Sequence, residues 1–331
     1  MTTTALLPEA SEPLDHATAE AAFGAILDGQ VDEAEIARFL LTMAERDETS
    51  VEIAAAARAL RQRMIEIAAP AGAIDVCGTG GDGAHSLNVS TAVAIVVAAC
   101  GVPVAKHGNR AASSKAGAAD TLEALGLDLA RASADAEASL NEIGIGFLFA
   151  QLHHPALGRL GPVRKRIGRR TIFNLIGPLA SPARVTRQLI GVARVDYLNT
   201  VAEALRLIGT EAALVVAGEE SLDELSVAGP SRVVHVGQCG DGSERVTPED
   251  AGLTRHSLEA LRGGEAAFNA AALRELLAGA PGAYRDAVLL NAAGALIVAG
   301  RASGWRDGAD QAARAIDDGA AADLLARWIA R

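Results

Sequence analysis

Two runs that could grip a polyanion lie within forty residues of each other. Residues 75–83 read DVCGTGGDG, and residues 106–114 read KHGNRAASS. Between them NVST, residues 88–91, opens a short apolar stretch. In the first run Gly78, Gly80, Gly81 and Gly83 allow positive φ and bring backbone N–H groups close to an anion. Ser90 or Thr91 is expected to cap the helix that follows, whose N-terminus favours negative charge. Asn88 and Ser90 can add side-chain hydrogen bonds. Asp82 makes sense beside phosphates if it accepts from a ribose hydroxyl or supports a bound Mg²⁺. In the second run Lys106 and Arg110 supply charge, His107 and Asn109 further polar groups, and Ser113 or Ser114 a cap for a second helix. Alone, His107 reads as structural. In this company it belongs in a cleft, with no proton-transfer role assigned. A glycine turn by itself only reverses the chain, and the first run is neither a Walker A loop nor GxGxxG. The inference rests on the pair.

Both runs need a scaffold. Residues 1–13 read as a mobile tail. Residues 14–68 carry three helical patterns, with capping boxes expected at Asp32-x-x-Glu35 and Thr49-x-x-Glu52. Ile53, Ala57, Leu60, Met64 and Ile67 share one face. PAG at 70–72 breaks the pattern. Short β-type runs follow at 73–77, 102–105, 145–149, 189–193, 213–218 and 232–236. Helical patterns lie at 90–100, 113–125, 196–208, 269–278, 283–299 and 309–330. Such alternation predicts an α/β fold with a mainly parallel sheet, whose ligands bind beyond the carboxyl ends of the strands. Both polar runs follow candidate strands, so both should open on that edge. The division expected is a helical unit at 1–70, joined by a segment near 155–180, and an α/β unit at 71–331.

The net charge of −11 argues against a general nucleic-acid binder. The chain reads as soluble and cytoplasmic: no apolar run reaches membrane length, and no secretory signal is visible. Cys77, Cys100 and Cys239 are an odd number without a CxxC, so they read as reduced, small apolar residues.

Three further clusters attract chemistry. Asp223 and Glu224 sit in LDEL; adjacent carboxylates repel unless a cation or water separates them, and on charge alone they read as a solvated acidic turn. Arg164 begins a basic run with Lys165, Arg166, Arg169 and Arg170, most of it solvated or at a subunit contact. One inward Arg there could hold a carboxylate in a fork. His153 and His154 are adjacent, and neighbours on an extended segment point apart, which disfavours a metal pair. Gly177-Pro178 reads as a rigid turn.

With these residues in view, DVCGTGGDG, NVST and KHGNRAASSKAGAADTLEALG resemble the anthranilate phosphoribosyltransferase family. The resemblance continues through HHPA (153–156), GPVRKRIGRRTIFNLIGPL (161–179), LDELS (222–226) and YRDAVLLNAAG (284–294). It implies a small all-helical N-terminal domain plus a larger α/β domain, of the nucleoside phosphorylase and class III phosphoribosyltransferase type. It implies a homodimer that joins phosphoribosyl pyrophosphate to anthranilate and needs Mg²⁺. Carried over by position, Gly78, Gly81, Asp82, Ser86, Asn88, Val89, Ser90, Thr91, Lys106, Asn109, Ser113 and Ser114 would line the phosphoribosyl pyrophosphate site. Ser90, Asp223 and Glu224 would take Mg²⁺. Gly78, Asn109, His154 and Arg164 would hold anthranilate, and Lys106, His107 and Arg164 are the catalytic candidates. Ala116 and Ala118 stand where the family pattern has serines, and Phe268 where it has an acidic residue. The readings that compete are a pyrimidine nucleoside phosphorylase, disfavoured by LDEL and the Arg164 segment, and a non-catalytic nucleic-acid-binding relative, disfavoured by the acidic balance.

Overall fold

The computed structural model describes residues 6–111 and 114–331. Three helices come first: α1 (His16–Leu27), α2 (Glu33–Glu45) and α3 (Ser50–Arg61). Their starts follow from sequence. Asp15 accepts from the Thr18 N–H, Asp32 from the Ala34 N–H, and Thr49 with Glu52 closes a complete capping box. The box expected at Asp32 is only half made, because Glu35 accepts from the Leu7 N–H instead. The tail expected to be mobile is likewise tied down over residues 6–14. Arg46 donates to the Ala10 carbonyl, and the buried Glu52 carboxylate accepts from the Leu14 N–H.

The sheet elements alternate with helices: β1 (Ile74–Gly78), α4 (Val89–Ala99), β2 (Val104–Gly108), α5 (Ala118–Ala124), α6 (Leu129–Ala134), α7 (Ala136–Ile143) and β3 (Ile145–Phe149). A mostly helical crossing follows, with α8 (Ala150–His153), α9 (Pro155–Arg159), α10 (Gly161–Ile167) and α11 (Ile172–Leu175). Then come β4 (Arg187–Gly191), α12 (Leu198–Leu207), β5 (Ala212–Gly218), β6 (Ser231–Gly237) and β7 (Ser243–Val246). The chain closes with α13 (Ala266–Leu277), α14 (Ala283–Val298), α15 (Trp305–Asp317) and α16 (Ala320–Ala330). The single helix expected at 309–330 is two, because Gly319 takes φ +77° between them.

Strand order is β3-β2-β1-β4-β5-β6-β7. The first five strands run parallel, and β6 and β7 add an antiparallel edge. The parallel core was expected. β7 was not: SERV carries three exposed residues out of four and has no apolar alternation.

The pleat divides the core. On β5, Leu214 and Val216 pack with α4 and α13–α16, while Ala213, Val215 and Ala217 pack with α1–α3, α11 and α12. Phe23 is fully buried on the second face, with Phe39 and Phe173 edge-on at 5.9 and 6.1 Å. Phe173 thereby fastens the 155–180 crossing to the first three helices. Among the described residues no helix is long and apolar enough to cross a membrane, and the three cysteines are free.

One irregularity shapes the site. β1 shares five register pairs with β4 but a single pair, Ile74 with Val104, with β2. Beyond that pair the two strands part, at the carboxyl edge where the polar loops begin.

Candidate active site

The first loop leaves β1 at Gly78 and is braced from outside. Thr79 donates its N–H to the Gly191 carbonyl (2.9 Å), and Gly80 donates to the Asp223 carboxylate (2.6 Å). The approach is so close that a Cβ on Gly191 would overlap the Asp223 carbonyl oxygen, and one on Gly78 would overlap its carboxylate. Asp82 accepts from the Ala84 N–H within the loop. Ser86 bridges to Arg262 across an isolated β-pair.

α4 opens differently from expectation. Its N-cap is Asn88, so Ser90 and Thr91 lie inside the first turn. The Asn88 side chain is spent within the chain. Its oxygen accepts from Thr121 and Asn269, its amide donates to the Ala116 carbonyl, and its own carbonyl accepts from the Tyr284 hydroxyl. The Val89 N–H is committed to the Leu87 carbonyl. Asn88 and Val89 therefore act as struts under the turn. The orphan donors of the helix start attract a carboxylate instead: the Ser90 N–H donates to Glu224 (3.2 Å).

The turn after β5 carries Asp223 and Glu224 between these groups. Burial raises the Asp223 carboxyl to about 7, with the charge of Asp82 adding to the rise. Burial and the charge of Asp223 push Glu224 well above the ordinary carboxylate range. Asn291 grips the turn from α14, accepting the Leu225 N–H and donating to its carbonyl, both at 2.9 Å. Three carboxylates thus gather beside the glycine loop, and one oxygen of Glu224 has no partner among the described residues. No three His, Cys, Asp or Glu side chains form a metal-holding group among the described residues. An uncompensated carboxylate pair beside a phosphate loop fits Mg²⁺, which is commonly held by one or two carboxylates plus substrate phosphates.

The second loop begins inside β2. Lys106 and His107 are strand residues and buried. The Lys106 ammonium donates to the His107 carbonyl (3.1 Å). The His107 N–H finds no strand carbonyl where β1 and β2 part; it donates to the Asp75 carboxylate (3.0 Å). Asp75 is fully buried, its other oxygen has no partner among the described residues, and burial raises its carboxyl to about 6 against the opposing charge of Lys106. Nothing in the sequence singled out Asp75 beyond one acid in an apolar strand. His107 faces His154 with ring centroids 5.1 Å apart. Burial drives both imidazoles toward neutrality, His107 well below its usual value and His154 down to about 4. Neither ring nitrogen of His154 has a hydrogen-bond partner among the described residues. His153 is structural, held by the Ile65 carbonyl and Ser133.

Farther along the loop the expected gathering of cations thins out. Arg110 turns onto α5, the helix that follows the loop, and pairs with Asp120 and Glu123. Asn109 is exposed and accepts from the Arg110 N–H. Ser113 lies outside the described residues. Ser114 donates to the Ala116 carbonyl and does not cap α5, which starts at Ala118 behind Gly117. Asp120 does that work by accepting the Ala111 and Gly117 N–H groups. In the basic run, Arg164 is half-buried, and desolvation alone lowers its pKa. Arg166 pairs with Glu33, and Lys165 and Arg169 are exposed. Arg170, read from sequence as one of a solvated set, instead reaches the first loop.

A braced glycine loop, a helix start, a buried Lys and an acidic turn thus meet at the carboxyl edge of a parallel sheet, with two neutral imidazoles beside the Lys. Comparison with known proteins assigns the class. Residues 71–322 match the a/b domain of the glycosyl transferase family, and residues 6–64 match that family's helical bundle domain. The chain is 61% identical to the anthranilate phosphoribosyltransferase of Novosphingobium aromaticivorans over 325 residues, 98% of each chain. Identity to the Sphingopyxis alaskensis enzyme of the same name is also 61%, over 98% of this chain and 97% of the other. The crystal structure of the Thermus thermophilus anthranilate phosphoribosyltransferase superposes with a TM-score of 0.92 at 43% identity, covering 97% and 96% of the two chains. The Saccharomyces cerevisiae enzyme in complex with PRPP and Mg superposes with a TM-score of 0.88 at 27% identity, covering 96% and 93%. The chain belongs to the anthranilate phosphoribosyltransferase family.

Proposed function

We propose that the chain transfers the phosphoribosyl group of phosphoribosyl pyrophosphate to anthranilate, giving N-(5-phosphoribosyl)anthranilate and pyrophosphate, a step of tryptophan biosynthesis. The observation that carries this reading is the convergence of the glycine loop, the start of α4 and buried Lys106 on one edge of the sheet, beside an acidic turn with an unpartnered carboxylate oxygen. Family membership supports it over the phosphorylase and nucleic-acid readings.

Anthranilate carries a weakly basic amine that is already neutral near pH 7, so attack needs no strong base. The demanding event is departure of pyrophosphate from ribose C1. The C1–oxygen bond breaks with its electron pair on pyrophosphate, the amine nitrogen bonds to C1, and the ammonium so formed, strongly acidic, gives its proton to water. Backbone N–H groups of the glycine loop and Lys106 stabilise the growing negative charge. Ser90, Asp223 and Glu224 would hold Mg²⁺, which when bound neutralises charge on the diphosphate. Arg164 holds the acceptor carboxylate, with His107 and His154 as neutral walls of the same pocket. A neutral imidazole can donate one hydrogen bond without drawing the carboxylate away from Arg164. Holding amine and C1 together supplies the other large part of the rate.

The same reading gives a cytoplasmic homodimer and a chain divided into a helical unit at 1–70, with the 155–180 crossing, and an α/β unit at 71–331. Anthranilate is fluorescent, so the reaction tests itself. Mixed with Mg²⁺, phosphoribosyl pyrophosphate and anthranilate, the protein should quench that fluorescence. Phosphorolysis of thymidine or uridine with anthranilate untouched would reverse the reading. Arg164→Ala should raise the KM for anthranilate about ten-fold or more while the KM for phosphoribosyl pyrophosphate moves little; an unchanged anthranilate KM removes Arg164 from this role.

A further inference from the structure

The basic run splits by geometry. Arg166 is tied to Glu33, and Lys165 and Arg169 face outward. Gly168, at φ +64°, ends α10 in the left-handed region and redirects the chain, and two residues later Arg170 is half-buried. Its guanidinium donates to the Gly81 carbonyl (3.3 Å) and to the Thr79 hydroxyl (3.4 Å). Thr79 is itself fixed, by its N–H to Gly191 and by the Ala193 N–H to its hydroxyl. Arg170 thus carries a contact from the 155–180 crossing to the glycine loop.

Four features argue that this contact does more than brace. Both hydrogen bonds are at the long end of the useful range, a poor return for desolvating a guanidinium. A guanidinium has five N–H groups, so donors remain beyond the two engaged on the loop. Its charge also opposes the cluster of Asp82 and Asp223, which places it in the field of the acidic turn. Arg164, the residue assigned to the acceptor, lies on the same short segment, one helix turn before Gly168.

We infer that Arg170 is a positioning residue for the sugar-diphosphate donor: it holds the Thr79–Gly81 backbone in its anion-binding shape and links that loop to the segment that grips the acceptor. Any group that tightens the segment at Arg164 then alters the loop, and linkage makes the effect reciprocal. The inference rests on the function proposed above.

The test uses the full chain as Arg170→Gln and Arg170→Lys. With Mg²⁺ saturating, Arg170→Gln should raise the KM for phosphoribosyl pyrophosphate about ten-fold or more, the scale of a lost hydrogen bond to a charged group. Its melting temperature should stay close to that of the parent, because the side chain is only half-buried. Added guanidinium ion should restore part of the activity of Arg170→Gln and none in the parent. Arg170→Lys should recover less than guanidinium does, since a point charge cannot span both loop acceptors. The KM for anthranilate should depend on donor concentration in the parent and lose much of that dependence in Arg170→Gln. A donor KM within about two-fold of the parent, or a loss accompanied by a lower melting temperature and no guanidinium rescue, overturns the inference. A parent protein that leaves anthranilate fluorescence unchanged overturns the function itself, whereas an active parent with an indifferent Arg170→Gln overturns this inference alone.

Discussion

The two polar loops look alike in sequence and are held in opposite ways. The first is braced by residues far away in the chain, Gly191 of β4, Asp223 after β5 and Arg170, and the helix start that follows it is braced through Asn88 by Asn269 of α13 and Tyr284 of α14. The second closes mostly on itself, through Arg110 with Asp120 and Glu123 and through Asp120 with the Ala111 and Gly117 N–H groups. Among the described residues its distant side-chain anchors are few: Asp75 holds His107 at the root, and Gln151 donates to Asn109 at 3.5 Å. A loop that must present backbone N–H groups rigidly needs support from several directions. A loop whose members are local can be loosened without disturbing the sheet.

The contrast can be broken most forcefully at Gly191. Gly191→Ala drives a methyl into the Asp223 carbonyl, so the first loop and the acidic turn must shift together. The expected cost is ~3 kcal/mol of stability with loss of most transfer activity, checked by denaturant melts and the fluorescence assay. Wild-type stability after this change would mean the bracing is dispensable.

Next in size is the acidic turn. Replacing Asp223 and Glu224 together by Ala should abolish or severely weaken the Mg²⁺ dependence of the rate, read from a Mg²⁺ titration. Stability should move the other way. Both carboxyls, and Asp75, have folded-state pKa values above their ordinary ones. The folded chain therefore binds more protons than the unfolded chain, and metal-free stability falls as pH rises through about 6 for Asp75 and about 7 for Asp223. The Asp75 part alone is of order ~3 kcal/mol between pH 4 and 8. The buried imidazoles of His107 and His154 act in the opposite sense below about pH 6.5, so the check is the difference between parent and variant: Asp75→Asn should remove part of the fall at its lower end, and the double Ala variant at its upper end. A pH dependence of melting left unchanged by both variants would contradict the burial described for all three carboxyls.

Smaller again is Asn269→Ala, which removes a buried amide serving the Asn88 oxygen and the Gly264 N–H. It should cost about 1–3 kcal/mol and raise the donor KM several-fold. Arg110→Ala is the smallest. Its ion pairs are exposed, so kcat/KM should change by less than about two-fold. If Arg110→Ala proved worse than Asn269→Ala, the two loops would have been ranked in the wrong order.

Much of this was legible beforehand because periodicity reports burial. The five parallel strands and the first three helices announce themselves by apolar spacing, and Thr49-x-x-Glu52 by its capping box. Local alternatives were harder. Asn88, Ser90 and Thr91 are all good caps, and only the docking of Thr121, Asn269 and Tyr284 onto Asn88 selects among them. Ser114 lost the start of α5 to Gly117 because Asp120, three residues on, supplies the side chain that closes the turn. Arg170 is one cation in a run of five, and its direction follows from the backbone reversal at Gly168 rather than from its own identity. Asp75 offers no spacing to read, since its meaning comes from a neighbouring strand that departs.

That departure has a spectroscopic consequence. Where β1 and β2 separate, the amide hydrogen of His107 is guarded by a carboxylate that gains a proton near pH 6, in place of the carbonyl a continuous ladder would supply. Deuterium uptake at this one amide should therefore follow the charge state of the cleft floor, while the amides of β4 and β5, locked by ordinary ladders, keep a steady rhythm. The sheet carries its own electrode at the point where it opens.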